Sequence, residues 1–253
     1  MFRSNAYTVY LSIVAFFGMT EAVQSRQWSD LVLNVQWDSK VLPTPVGRPR
    51  IGIPGGVPIV DETLVVDPIS NAIQNVVLMI DERFNKFDRK AIHPELVAAP
   101  VSPAILDMIQ FRFEPHVLSI RANQILRVRK RDGRNYNPKF NFIANDETNL
   151  KFINANISEL LLKHAERTPA PVACNIHPWM SAFVLVTDHP YVGISDVEGK
   201  IKIEKLPAGI SITFRIWHES QDKSIEEVRS ANTACCLRVR RRRPFTSIIS
   251  FHD

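Results

Sequence analysis

Cys174, His177 and Met180 fall within one seven-residue run, Cys174-Asn175-Ile176-His177-Pro178-Trp179-Met180. That spacing puts a thiolate, an imidazole and a thioether on a single short turn. Thiolate and thioether are soft donors suited to copper, and imidazole suits copper in either oxidation state. Joined by a second His, they are the ligand types of a trigonal His₂Cys copper site with a weak axial Met. The fourth donor must come from elsewhere in the chain.

Such a turn needs a stiff frame, and the composition indicates which kind. The 253 residues are 45% hydrophobic, with 17 Pro against 9 Gly. Val, Ile and Phe occur in short runs and helical periodicity is scarce, which predicts an all-β body with proline-punctuated connections. Residues 28–37 read as a first strand, 48–58 as a turn-rich link, 64–66 and 76–80 as short buried strands, 81–90 as a charged loop and 98–103 as a boundary. Short strands are predicted at 109–113, 117–120, 125–128, 140–143 and 150–153, with Asp132-Gly133-Arg134-Asn135 as a turn. Residues 157–164 fit a brief helix or a strand. Residues 171–173 enter the Cys174 turn and 182–186 leave it. A compact β unit follows, with turns at 195–200 and 206–209 and strands at 201–203 and 212–217. The expected organisation is a signal at 1–25, a β-rich segment at 26–108, a central domain at 109–190, a β unit at 191–219 and a basic, poorly ordered tail at 220–253.

The first 25 residues have the layout of a secretory signal. Arg3 supplies the charge, residues 7–19 the apolar run, and Ala22 or Ser25 the small residue at the cut. The run is shorter than the ~20 residues of a membrane span, and no later segment is long enough, so export to a periplasmic or extracellular setting is expected with no lasting span. There, a lone Cys174 beside His and Met points to a metal-held thiolate rather than half a disulfide. The adjacent Cys235 and Cys236 are poorly placed to bridge each other, leaving Cys174 or another molecule as their possible partners. The net charge of +5 is concentrated at Arg238, Arg240, Arg241, Arg242 and Arg243 and at Arg127, Arg129, Lys130 and Arg131. Without interleaved aromatics these read as solvated faces or contacts for an acidic partner, not as a nucleic-acid site. No nucleophile elbow, zinc-protease helix, phosphate loop, dinucleotide fingerprint or carboxylate pair is present, so no enzyme is expected.

The stretch 111–186 resembles the cupredoxin family, and the Cys-x₂-His-x₂-Met loop with Pro178 after the His is most similar to that of amicyanin. Phe113-Glu114-Pro115 before a strand, then Asn123-Gln124, resembles the strand and corner preceding the first cupredoxin ligand. Residues 187–219 resemble a carboxypeptidase-regulatory β unit through Asp196, Gly199, Ile203, Leu206, Pro207, Ala208 and Gly209. Together they resemble exported methylamine-utilisation-like proteins. The resemblance implies a Greek-key β-sandwich and a copper cofactor, with additional N-terminal strands and a C-terminal β unit here. It makes Cys174 the equatorial thiolate, His177 an equatorial imidazole and Met180 the axial thioether. Pro178 and Trp179 would form the rim where a redox partner docks.

The first histidine departs from the pattern. Where the family has Asn-x-Asp-x-x-x-His-Asn, this chain has Arg131-Asp132-Gly133-Arg134-Asn135-Tyr136-Asn137, so Tyr136 holds the imidazole's place. A phenol of pKa near ~10 is a poor ligand at neutral pH unless a metal lowers it. Three readings stay open: an unusual copper site completed by Tyr136 or an outside ligand, substitution by His116 or His164, or loss of the metal. Taken singly, Met180 reads as core filler, His177 as a hydrogen-bonded loop residue, His116 and His189 as turn anchors, and 217–219 as a structural strand end. The functions that compete are a single-electron carrier with a redox partner, a non-redox module binding an envelope component, and Cu(I) storage or delivery.

Overall fold

The computed structural model describes residues 28–37, 51–52, 58–59, 61–83, 86–220, 228–231, 236–239 and 245–248. The expected signal at 1–25, most of the link at 48–58, Cys235 and the arginines at 240–243 lie outside the described residues.

The N-terminal part contains β1 (Trp28–Trp37), β2 (Ile51–Gly52), β3 (Pro58–Ile59) and β4 (Val77–Ile80), then two 3₁₀ turns at Arg89–Ala91 and Pro94–Leu96. The central part contains β5 (Ala104–Ile109), β6 (Arg112–Glu114), β7 (Val117–Arg121), β8 (Ile125–Lys130), β9 (Pro138–Phe140), β10 (Thr148–Asn149), β11 (Ile157–Leu161), β12 (Ala170–Cys174) and β13 (His177–Thr187). The last part contains β14 (Val192–Ile194), β15 (Lys200–Pro207), β16 (Thr213–Trp217), β17 (Val228–Ala231), β18 (Cys236–Val239) and β19 (Phe245–Ile248). Among the described residues none is α-helical, and the ambiguous 157–164 stretch is led by strand β11.

Strands β5 to β13 form a β-sandwich. One sheet runs β10-β9-β12-β13-β7 and the other β11-β8-β5-β6. Successive strands β6, β7, β8 and β9 cross from sheet to sheet, as strands of the expected β-sandwich do. Alternation in β8 turns Leu126 and Val128 inward and leaves Arg127 and Arg129 outside. Leu106, Phe113, Phe140, Tyr136, Cys174 and Met180 join them in one buried cluster. Burying each large apolar side chain stabilises the fold by about 1.5–3 kcal/mol.

The flanking parts are one body. Strand β1 pairs antiparallel with β15, and β4 lies between β14 and β16. The sequence divides these residues into a segment at 26–108 and a unit at 191–219. In the structure their side chains share a core that includes Leu33, Leu78, Tyr191, Ile203 and Phe214. The 108/109 boundary falls inside β5, whose partner β8 lies further along the chain. The central sandwich is therefore inserted into a second β body.

Strand β4 joins the two. All four of its residues are buried. Leu78 and Ile80 face the core of the second body, while Val77 and Met79 pack with Val117 of β7 and Leu185 of β13. A strand covered on both faces reads as an unbroken apolar run, as Val77-Leu78-Met79-Ile80 does.

Candidate metal centre

Strands β12 and β13 form the hairpin that carries the ligand turn. Ala173 is opposite Ser181, yet Cys174 is opposite His177, so Pro178, Trp179 and Met180 are extra residues in β13. A bulge of this kind re-aims side chains. Here it brings Cys174 and His177 face to face across the turn and keeps Met180 on the inward face with Ala182 and Val184.

Cys174 Sγ lies 3.6 Å from His177 Nδ1. A first-row ion with a metal–sulfur bond of ~2.3 Å and a metal–nitrogen bond of ~2.0 Å subtends about this separation at a tetrahedral angle. The thiol is buried and accepts the Asn137 backbone N–H at 3.4 Å. The Asn137 side chain donates to Asn149 Oδ1 (2.6 Å) and to the Leu150 carbonyl (2.5 Å). Asn175 closes the turn, its backbone N–H donating to the Asn137 carbonyl and its amide to Asn137 Oδ1, each at 3.0 Å.

His177 is half-buried under aromatic rings. Phe111 meets it edge-on at 4.8 Å between centroids, Trp179 lies at 5.4 Å and Tyr136 at 5.6 Å. Burial lowers the His177 pKa, and the charge of Arg134 lowers it further. Its imidazole is thus neutral and able to offer a lone pair at neutral pH. Arg134 stacks on the Phe111 ring, 4.6 Å from its centroid.

Tyr136 is fully buried, but its hydroxyl serves another partner. It donates to Asp132, at 3.0 Å from Oδ1 and 2.9 Å from Oδ2. The same carboxylate accepts the backbone N–H groups of Gln110 (2.9 Å) and Arg134 (3.1 Å) and the Arg134 guanidinium (3.0 Å). Burial raises the Asp132 pKa, but these donors outweigh it and hold the carboxyl below its usual range. Burial, and then the adjacent Asp132, push the Tyr136 phenol well above its ordinary value. Tyr136 is thus held as a neutral donor, the wrong state for an anionic ligand.

Of the residues the sequence nominates, the structure brings Cys174 and His177 together and buries Met180 in the same core cluster. Pro178 is exposed beside them, and Trp179 is half-buried against His177 and Phe111. The proposed substitutes do not join the pair. Both ring nitrogens of His116 face carboxylates, Glu219 at 2.7 Å and Glu62 at 3.7 Å. Among the described residues, no third His, Cys, Asp or Glu donor clusters with Cys174 and His177. The cluster that does form is Glu82, Asp188 and His189. Arg89 occupies it, bonded to Glu82 at 2.6 Å and to Asp188 at 2.6 Å. Sequence reasoning missed Asp132 as the acceptor for Tyr136 and Phe111 as the cover on His177. The four-residue spacing from Asp132 to Tyr136 across a turn was the available signal for the first.

No family model matches the chain, and no curated protein matches it. Among solved structures it is similar to the Cu-containing nitrite reductase (NirK) from Thermus scotoductus SA-01, at 15% identity and a TM-score of 0.31, over 34% of this chain and 22% of that one. It is also similar to an oxidized amicyanin mutant at 18% identity and a TM-score of 0.29, over 34% of this chain and 82% of that one. A reduced-state amicyanin mutant aligns at 16% identity and a TM-score of 0.30, over 44% and 98%. The chain thus spans about a fifth of the nitrite reductase it matches. At this level the neighbours say nothing of donors or activity, which rest on the residues of this chain.

Proposed function

We propose that the central sandwich is a cupredoxin-like module that binds monovalent copper through Cys174, His177 and Met180, and that it stores or delivers this ion rather than cycling it. The observation that carries this reading is the Tyr136–Asp132 hydrogen bond. It removes the third equatorial donor that a trigonal His₂Cys site uses to accommodate Cu(II). The donors that remain are one thiolate, one neutral imidazole and one thioether, a set suited to a soft monovalent ion. The fixed positive charge of Arg134 beside His177 further favours the lower metal charge. In this reading the chain is exported, is not itself an enzyme, and passes its ion to an envelope partner at the Pro178–Trp179 rim.

The test is competition for Cu(I) between reduced protein and a chromophoric Cu(I) chelator, with Cu(II) addition followed by visible absorption. One retained equivalent of Cu(I), lost in Cys174→Ala, with no intense thiolate-to-copper band on adding Cu(II), is the expected result. An intense band in the wild type would restore the single-electron carrier. Failure to retain Cu(I) would leave a metal-free binding module, in which the buried Cys174 sulfur accepts the Asn137 N–H without an ion.

A further inference from the structure

The junction between the two bodies has an apolar part and an ionic part. The apolar part is Val77, Met79, Val117 and Leu185, with Phe183 and Trp217 packed against it. On its margin His116, which precedes β7 of the central sandwich, is buried with its side chain 3% exposed. Its Nε2 lies 2.7 Å from Glu219 Oε1, just past β16, and its Nδ1 lies 3.7 Å from Glu62 Oε2. Both carboxylates belong to the second body, and they approach opposite sides of the ring. Phe183 meets the His116 ring in an edge arrangement, with centroids 5.9 Å apart.

We propose that His116 is a proton-operated latch between the two bodies: protonated, it holds both Glu62 and Glu219 to the central sandwich, and neutral, it keeps Glu219 alone and repels Glu62. The geometry makes the two states unequal. An imidazolium donates to Glu219 through Nε2–H and attracts Glu62 by its charge at 3.7 Å, beyond hydrogen-bond reach. A neutral ring keeps a single N–H. Donated to Glu219, it leaves the Nδ1 lone pair facing the Glu62 carboxylate, acceptor against acceptor, with little water to intervene. Glu62 and Glu219 side chains are 22% and 10% exposed.

The other charged groups nearby do not replace that proton. Arg112 of β6 lies about as far from Glu62, at 3.8 Å, but its side chain is 45% exposed, so water screens its charge, and it is also bonded to Glu114. His218, next to Glu219, is buried and its pKa is lowered chiefly by that burial. The backbone of Ser181 also faces His116. Burial opposes charging of His116, but the Glu219 hydrogen bond and the charges of Glu219 and Glu62 outweigh it, and the net direction is upward. A raised folded value means that the latch contributes fully below the free imidazole value of ~6.5 and is lost as pH rises through the higher folded value. Glu62 is raised by its own burial, so its charge is lost first on the acid side. The latch is therefore tightest between these two titrations.

The experiment follows the His116 ring protons by NMR across pH and runs calorimetry on the full chain, with His116→Gln and Glu219→Gln as variants. A His116 midpoint above ~6.5 is expected. Between the Glu62 and His116 titrations the wild type unfolds in one transition and above the His116 midpoint in two, while both variants show two transitions throughout. A midpoint at or below the free value, or the same number of wild-type transitions on both sides of it, would overturn the proposal. The wild-type titration decides even where a variant fails to fold.

Discussion

The Tyr136 hydroxyl donates to Asp132 at 2.9–3.0 Å, at the place where a copper-ligand pattern would put an imidazole. Replacing Tyr136 by His removes that donor and frees the space beside His177. Cu(II) added to Tyr136→His is expected to produce the intense visible thiolate-to-copper absorption that is not expected of the wild type. The loss of a hydrogen bond to a charged carboxylate costs about 2 kcal/mol of stability. An unchanged Cu(II) affinity and spectrum would show that position 136 does not point at the Cys174–His177 pair.

Glu166 offers a second test, on the frame. Its buried carboxylate accepts the backbone N–H groups of three successive residues, Ile143 at 3.2 Å, Ala144 at 2.9 Å and Asn145 at 3.1 Å, and the Asn145 side-chain amide at 3.0 Å. It ties the loop after β9 to the approach of β12. In Glu166→Gln an amide N–H₂ replaces one acceptor and faces donors. A loss of about 2–3 kcal/mol is expected, read as a lower urea midpoint at unchanged slope. A shift under ~0.5 kcal/mol would mean that the loop is held by other contacts.

Much of this architecture was legible because short-range rules governed it. The alternation Ile125-Leu126-Arg127-Val128 gave β8 its inward face, and the stretches 171–173 and 182–186, read as entering and leaving the Cys174 turn, lie in the two arms of the β12–β13 hairpin. Long-range pairing was not legible. Nothing in residues 28–37 announces that Leu33 will pair with Ile201, because a strand's partner depends on which free edge the rest of the fold presents. The two-faced burial of β4 was visible only as an apolar run, without its two destinations. At the site, ligand types could be read from spacing. Whether Tyr136 faced a metal or Asp132 could not, since that depends on a turn that brings residues 110, 134 and 136 to the Asp132 carboxylate.

His189 sets an acid limit on the second body. It is buried, its Nδ1 accepts the Tyr191 backbone N–H at 3.2 Å, and burial with the nearby Arg89 lowers its pKa to about 4. The unfolded chain therefore binds a proton near ~6.5 that the folded one refuses. Stability must fall as pH drops from ~6.5 toward about 4, because the unfolded state takes up more protons over that window. Denaturation of wild type and His189→Asn across this range checks the sign. The variant is expected to lose less stability on acidification. An identical pH slope in both would assign the acid sensitivity to other groups.

Met79 of β4 and Leu185 of β13 belong to the same buried cluster, one from each body. Each is enclosed by apolar neighbours, so truncation to Ala should cost about 2–5 kcal/mol. What matters is how the two costs combine. If the junction is a packed interior, Met79→Ala opens space into which the surroundings of Leu185 relax, and the double variant loses less than the sum by about 0.5–3 kcal/mol. If the bodies merely touch, the two losses add, because removing one side chain leaves the other's neighbours in place. A double-mutant cycle by urea denaturation separates these cases. Additivity within ~0.5 kcal/mol would argue that β4 binds the central sandwich only loosely, and that His116 carries most of the coupling between them.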